Sequence, residues 1–258
     1  MPEVPSFIQL PSTEVVQALT HESWGEKRGI NKQIPRKGVL FREGENIRRA
    51  HLITSGLVMG TRKHDGRAVR SLFVPGDVIG LEAFRDPSAI HVSTGKALRD
   101  TEVVSFPIGE LPHMMMHEKD VLEEGENAVL FDYFGRTMER MTHEAEERWH
   151  IKTFGFSINM AAFTLHKLAH VPDDEGHLQG VSQEVIAQAS GITRETLIRA
   201  PFPYLTEREI ITFVPDYHTT PITIHQPKEL LGVAYDFDEA KKWLALKALS
   251  EKNNKAEK

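Results

Sequence analysis

The chain has 258 residues, no cysteine and a formal net charge of −6. The lack of cysteine excludes disulfides, thiolate-ligated iron–sulfur clusters, cysteine zinc fingers and a cysteine nucleophile. At about 150 residues per domain, the length predicts about two domains. The first 35 residues are rich in proline, and their start lacks the basic and then apolar pattern of a signal peptide. No apolar run approaches the roughly 20 residues that span a bilayer, so we expect a cytoplasmic protein.

Residues 1–35 are interpreted as an N-terminal extension with one short helix. Ser12 is an N-cap residue, and Val15, Val16 and Leu19 form the predicted buried side. Residues 36–118 then form short runs of Val, Ile, Leu and Phe between glycines, which is typical of a small all-β sensor domain. Asp65-Gly66 predicts a hairpin turn between strands at 57–59 and 71–74.

Residues 119–150 predict a long helix. Apolar residues recur there at steps of three and four: Phe131, Phe134, Met138, Met141 and Ala145. A seam of about two heptads is typical of a coiled-coil interface. The alternative is an amphipathic helix that packs on its own domain. The position between a β domain and a second helical segment favours a dimerisation helix that also links the domains.

Residues 151–235 predict a second domain, with a helix at 151–170 and then a pair of short helices. A turn at Gly191 separates the pair, and the second helix begins at Thr193, which is the helix-turn-helix pattern. Alternating residues at 209–214 and 221–224 predict two strands of a wing. Residues 236–258 predict a C-terminal helix and a tail that frays from Ser250. The predicted buried side of this helix consists of Ala240, Trp243, Leu244 and Ala248.

Three stretches together resemble the CRP/FNR superfamily of bacterial transcription regulators. They are Leu40–Glu45 with His51–Val58, then Gly66-Arg67 with Phe73–Gly80, and finally Thr193–Arg199. Gly80-Leu-Glu-Ala-Phe84 resembles the FNR/FixK branch more than the cAMP branch. The resemblance implies an α+β fold with a cyclic-nucleotide-binding-type β-roll, a long dimerisation helix and a winged helix-turn-helix. It also implies DNA, RNA polymerase, a second copy of the chain and an unknown small-molecule effector as partners.

The effector pocket of the cAMP-binding members uses a Gly-Glu pair and an Arg-Ser or Arg-Thr pair. Here Gly80 is followed by Leu81, with Glu82 one place later, and His91-Val92 stands where the arginine pair is expected. A neutral histidine cannot replace a guanidinium that holds a phosphate with two hydrogen bonds. We therefore expect an effector that is neither cAMP nor, without cysteine, an iron–sulfur cluster.

No cofactor is predicted. Haem ligation by His51 and His91 is left open, although strand or loop histidines without a metal are far commoner. Met114–Met116 lies between His113 and His117, which predicts packing rather than a metal site because no third ligand is evident. We also find no phosphate loop or catalytic triad, so an enzyme is not expected.

The second short helix carries the candidate DNA contacts. Glu195 and Arg199 match the family's base-contacting positions, and Arg194 matches a further contact of the cAMP branch. Arginine can donate two hydrogen bonds to guanine, and a carboxylate can accept one from cytosine. The alternative is a surface ion pair between residues four apart. Further candidate contacts, to phosphate, are Ser182, Gln183 and Thr196.

Two features favour an alternative, a regulatory or adaptor protein of the same ancestry with weakened or lost DNA binding. The first is local sequence: Ile198 replaces the serine usual in the FNR branch, and Pro201 cannot donate to the carbonyl of Leu197 and disfavours helical angles at Ala200. The helix should therefore stop or kink after about two turns.

The second feature is charge. Residues 151–232 contain six bases and nine acids, a net charge of −3, whereas DNA binding depends largely on phosphate neutralisation. Histidines in and beside this segment predict binding that strengthens in mild acid: His150, His166, His170, His177, His218 and His225.

Overall fold

The computed structural model describes residues 11–20, 29–64, 67–110, 124–169, 171, 178, 181–213 and 222–256. The chain divides into two compact units, Met1–Glu144 and Ala145–Lys258. The boundary falls within one long helix.

The first unit is mainly β-structure. In chain order its elements are α1 (Thr13–Thr20), β1 (Ile30–Ile34), β2 (Val39–Phe41), β3 (Arg49–Ser55), β4 (Val58–His64), β5 (Arg67–Phe73), β6 (Val78–Ile79), α2 (Glu82–Arg85), β7 (Thr94–Ala97), β8 (Thr101–Pro107), a 3-10 turn (Ile108–Glu110) and the first part of α3 (Glu124–Phe154). The strands form two antiparallel four-stranded sheets in the orders β1-β8-β3-β6 and β2-β7-β4-β5.

Successive side chains of β3 and β8 point to opposite faces of the first sheet, and consecutive residues of both strands are buried, so both faces are covered. One face meets the second sheet, where Ile53 and Val103 pack with Phe41 and Val58. The opposite face carries residues such as Leu52, which pack with side chains of α1 and α3. This confirms the predicted β-roll within an α+β fold.

The β-roll begins earlier than the sequence predicts. Strand β1 pairs with β8 from Ile30 opposite Ser105 to Ile34 opposite Thr101. Helix α1 lies within the segment predicted as an extension, and its Leu19 is fully buried in the core of the first unit. The predicted boundary at residue 36 therefore differs from the structure, because β1 is an exposed edge strand of mostly polar residues.

Strands β4 and β5 form the predicted hairpin. Their register runs from Val58 opposite Phe73 to His64 opposite Arg67. The residues of the predicted turn, Asp65-Gly66, lie outside the described part.

The second unit is mainly helical. After the end of α3 it contains α4 (Ser157–Leu168), α5 (Gln183–Ser190), α6 (Arg194–Arg199), α7 (Pro201–Glu207), β9 (Ile211–Thr212), β10 (Thr223–Ile224), α8 (Pro227–Tyr235) and α9 (Phe237–Ala256). The helix predicted at 151–170 is divided at Gly155, where a side chain would place its Cβ 2.5 Å from the carbonyl oxygen of Ile151. The two wing strands, β9 and β10, pair over two residues each. Helix α8 is not among the elements that the sequence predicts. Helix α9 continues past Ser250, where the sequence predicts a tail, to Ala256.

Within the described part of the chain, no helix is both long and apolar enough to cross a bilayer.

Candidate nucleic-acid interface and the β-roll interior

Helices α5 and α6 begin and turn where the sequence predicts. The hydroxyl of Ser182 accepts a hydrogen bond from the amide of Val185 (3.2 Å), and that of Thr193 accepts one from the amide of Thr196 (3.1 Å). Such N-caps satisfy amides at the start of a helix. Between them Gly191 has a left-handed backbone (φ 72°), which glycine adopts without a Cβ penalty.

Helix α6 presents two charged side chains to solvent. Glu195 and Arg199 are exposed, whereas Leu197 between them is fully buried. The pKa of Glu195 is lowered by hydrogen bonds from its own amide and from the hydroxyl of Thr193. Among the contacts of the described residues, no ion pair joins Glu195 to Arg199. Both side chains are therefore exposed to solvent without an ion pair between them.

The side chains of Arg194 and Gln183 are hydrogen-bonded to each other. The guanidinium Nε and Nη2 of Arg194 donate to the side-chain oxygen of Gln183 at 3.2 and 3.1 Å. Gln183 is only 2% exposed, so its side chain faces Arg194 rather than solvent, and its phosphate contact stays a prediction. The pair joins the starts of α5 and α6. Of the other two predicted phosphate contacts, Ser182 caps α5 with its hydroxyl, and the hydroxyl of Thr196 lies 3.0 Å from that of Thr193, the N-cap of α6.

Helix α6 ends at Arg199, as Pro201 predicts. Ala200 has non-helical angles (φ −127°, ψ −64°), and Pro201 occupies the first position of α7. Phe202 and Leu205 of α7 are fully buried. The chain after the break is therefore held by the domain core rather than continuing the exposed helix.

Helix α9 lies along α7 and reaches the end of α6. Three side-chain contacts run in order along it: Glu239 to Arg208 (2.7 Å), Trp243 to Glu207 (2.9 Å), and Lys247 to the carbonyl oxygen of Arg199. The ammonium of Lys247 thus lies at the C-terminus of α6, where the helix dipole favours a positive charge.

The histidines of the second unit differ in their surroundings. His166 is partly buried, and its Nδ1 lies 3.1 Å from the carbonyl oxygen of Pro227. Burial lowers its pKa, so protonation of His166 requires a lower pH than for a histidine in water. His150 and His225 are exposed. His170, His177 and His218 lie outside the described residues.

The interior of the β-roll contains a polar cluster on β3 and β8. Arg49, His51 and Ser105 lie on the face that meets the second sheet. The Nε of Arg49 donates to the Ser105 hydroxyl (3.0 Å), and its Nη2 donates to the Ser105 carbonyl oxygen. His51 lies opposite Ser105 in the register and is 7% exposed. Its Nδ1 has no hydrogen-bond partner among the described residues.

His91 is packed into the same interior. Its ring stacks on Phe41 with centroids 4.4 Å apart. Burial lowers its pKa although Glu82 and Glu45 oppose the shift. Burial, with the charges of Lys32, His91 and Arg49, lowers the pKa of His51 to about 4. Both rings are therefore neutral near pH 7.

The other predicted pocket residues lie in different surroundings. Gly80 has a left-handed backbone (φ 94°). Leu81 packs against the core shared with α1 and α3. Glu82 and Val92 are exposed. Of the five predicted pocket residues, only His91 carries a polar side chain into the roll.

The residues of the predicted seam of α3 differ in burial. Phe134 is 2% exposed and packs on Phe106 with ring centroids 5.5 Å apart, so it follows the alternative of packing on its own domain. Met138 is 40% exposed and Ala145 is exposed, whereas Met141 is half-buried. The side chain of Phe131 lies outside the described part, as do His113–His117.

A buried ion pair was missed at the sequence level. Arg140 of α3 donates to Asp77 (2.8 Å) in the β5–β6 turn, with side-chain exposures of 9% and 2%. Arg140 also donates to the carbonyl oxygen of Gly76 (3.0 Å), as does Tyr133 (3.1 Å). Asp77 and Arg140 are far apart in the chain, so no local pattern relates them. Among the described residues, no group of three or more His, Asp or Glu could hold a metal ion.

Comparison with known proteins gives one family match. Residues 31–118 match the cyclic nucleotide-binding domain. The chain matches no curated protein.

Solved structures match over most of the chain. FixK2 from Bradyrhizobium japonicum is 19% identical with a TM-score of 0.60, and the match covers 80% of this chain and 96% of that one. TTHA1359, a CRP/FNR-family transcriptional regulator from Thermus thermophilus, is 20% identical with a TM-score of 0.57, covering 81% and 100%. A cyclic nucleotide-binding domain containing protein from Listeria monocytogenes is 14% identical with a TM-score of 0.60, covering 82% and 96%.

Residues 31–118 thus form a domain of the cyclic nucleotide-binding type. The chain has the fold of the CRP/FNR-family transcription regulators, as the sequence resemblance implies.

Proposed function

We propose that the protein is a dimeric, DNA-binding transcription regulator of CRP/FNR type, not an enzyme, that reads a palindromic site with α6. The observation that supports this most is the exposure of Glu195 and Arg199 on a helix that follows a capped turn. Arg199 would donate to the O6 and N7 of guanine, and Glu195 would accept from the N4 of cytosine. Two copies would place their α6 helices in half-sites about one helical turn apart.

The effector is proposed to be neither cAMP nor an iron–sulfur cluster. A buried, neutral His91 stacked on Phe41 supports this, because it provides no cation for a cyclic phosphate. Isothermal titration calorimetry with cAMP should give no binding heat. A micromolar dissociation constant would contradict the proposal. RNA polymerase is included as a partner of such a regulator.

The experiment is a gel shift on a palindromic FNR-type duplex, with a scrambled duplex beside it. Arg199→Ala should weaken specific binding about 5- to 150-fold, which corresponds to the roughly 1–3 kcal/mol of one bidentate base contact. The matched control is Arg62→Ala, since Arg62 is an exposed arginine of β4 in the other unit. It should bind like the unaltered protein.

The adaptor function is the second candidate. A six-residue α6, the engagement of Arg194 by Gln183 and the net charge of −3 over residues 151–232 favour it. If the unaltered protein fails to shift the palindrome at low salt and with candidate effectors, the adaptor function is supported instead.

A further inference from the structure

Helix α9 carries a row of lysines on its exposed side. Lys241, Ala245, Ala248 and Lys252 are all exposed. They follow one another at steps of four, three and four, so they lie on one side of the helix. The two alanines between the lysines leave room for a surface to approach closely.

Acidic residues lie at the start of α9, and its basic residues follow them. Asp238 and Glu239 stand in the first turn. From residue 240 to residue 256 there are five lysines and one glutamate, a net charge of +4. This contrasts with the net charge of −3 over residues 151–232.

Helix α9 approaches α6 at Lys247, which lies six residues beyond Lys241. Its contacts pass from Arg208 to Glu207 and then to the carbonyl oxygen of Arg199, so α9 runs back toward the exposed helix. Lys252 lies five residues beyond Lys247, or about 7.5 Å further along the axis at 1.5 Å per residue.

We propose that the lysine row of α9, Lys241 with Lys252, binds phosphates of DNA that flank the base pairs read by α6. This inference rests on the proposed function. The two lysines would supply the phosphate neutralisation that the acidic helix-turn-helix segment lacks. Neither lysine has a partner among the described contacts, so both ammonium groups are available.

The test is a fluorescence anisotropy titration of the full chain with the palindromic duplex at several salt concentrations. The variant is Lys241→Gln with Lys252→Gln, and the control is Lys63→Gln with Lys96→Gln, two exposed lysines of the β-roll. Removing one lysine–phosphate interaction should reduce the magnitude of the slope of log K against log salt by about 1, so the double variant should reduce it by about 2. Circular dichroism should show equal helix content in all three proteins.

Affinity should fall for palindromic and scrambled duplexes alike, because phosphate contacts carry no sequence information directly. If the double variant keeps the affinity and salt slope of the unaltered protein while Arg199→Ala loses specific binding, the α9 proposal is wrong and the proposed function stands. If the unaltered protein binds no duplex, both are wrong, and an acidic protein partner becomes the occupant of α9 to seek.

Discussion

At the scale of single residues, His51 makes the stability of the β-roll depend on pH. Its pKa is about 4 in the folded chain and about 6.5 in the unfolded chain. As the pH falls from 6.5 to 4, the unfolded chain takes up a proton that the folded chain does not. The stability is therefore greatest above pH 6.5, decreases through this interval and levels off below pH 4. His91 adds a change of the same sign, because burial lowers its pKa too.

The expected loss from His51 is about 2 kcal/mol between pH 7.5 and pH 5. Hydrogen exchange of β3 peptides, corrected for the intrinsic rate at each pH, measures it in the full chain. His51→Gln keeps a polar side chain but cannot titrate in this range, so its pH dependence should be smaller by that amount. An unchanged pH dependence in the variant would contradict the assignment.

The buried pair of Asp77 and Arg140 gives a second prediction at this scale. Asp77→Ala leaves the guanidinium of Arg140 buried without its carboxylate, which costs about 3–5 kcal/mol. Removing both charges with Asp77→Ala and Arg140→Met should recover much of this loss, since no unpaired charge is left. Urea denaturation of the two variants and of Arg140→Met alone completes a double-mutant cycle. Additive losses would show that the two groups do not interact.

At the scale of elements, the turn between α5 and α6 depends on Gly191. A Cβ at this position would meet no atom within 4 Å, so only the backbone angle opposes a side chain. Gly191→Ala should cost about 1 kcal/mol, the penalty of a left-handed backbone for a residue with a Cβ. Gly191→Asn should cost less, because asparagine tolerates this conformation. Thermal denaturation of the two variants compares them, and equal losses would point to a clash instead.

The elements that could be predicted from the sequence are those with local causes. Thr193, Gly191 and Pro201 determine where α6 begins and ends through capping, backbone freedom and a missing amide proton. Strand β1 was missed because its pairing with β8 joins segments about 70 residues apart. Its sequence of mostly polar residues has no strand periodicity of its own.

The candidate site residues likewise fall into those with local causes and those that depend on contacts between distant parts of the chain. The exposure of Glu195 and Arg199 agrees with their helical spacing. The burial of Gln183 depends on Arg194 folding back across the turn, and the burial of Phe134 depends on the β-roll beneath it. Both are tertiary effects, and a hydrophobic repeat alone does not distinguish a self-packed helix from a dimer helix.

At the scale of the whole molecule, the proposed palindromic site requires two copies of the chain. With Phe134 buried in its own domain, the surface left for a partner on α3 centres on Met138, Met141 and Ala145. An apolar surface of this kind on a long helix is what a two-stranded interface needs. The proposed dimer should therefore depend on the second half of the predicted seam.

Met138→Lys with Met141→Lys should convert the dimer to a monomer, because like charges would face each other across the two-fold axis. Sedimentation velocity measures the change. The control is Glu139→Lys, an exposed neighbour outside the seam, which should remain dimeric. The monomeric variant should bind a full palindrome no more tightly than a single half-site, since it loses the effective concentration that links the two recognition helices. If the variant stays dimeric, the interface does not lie on this part of α3, and the expected spacing of the half-sites no longer follows.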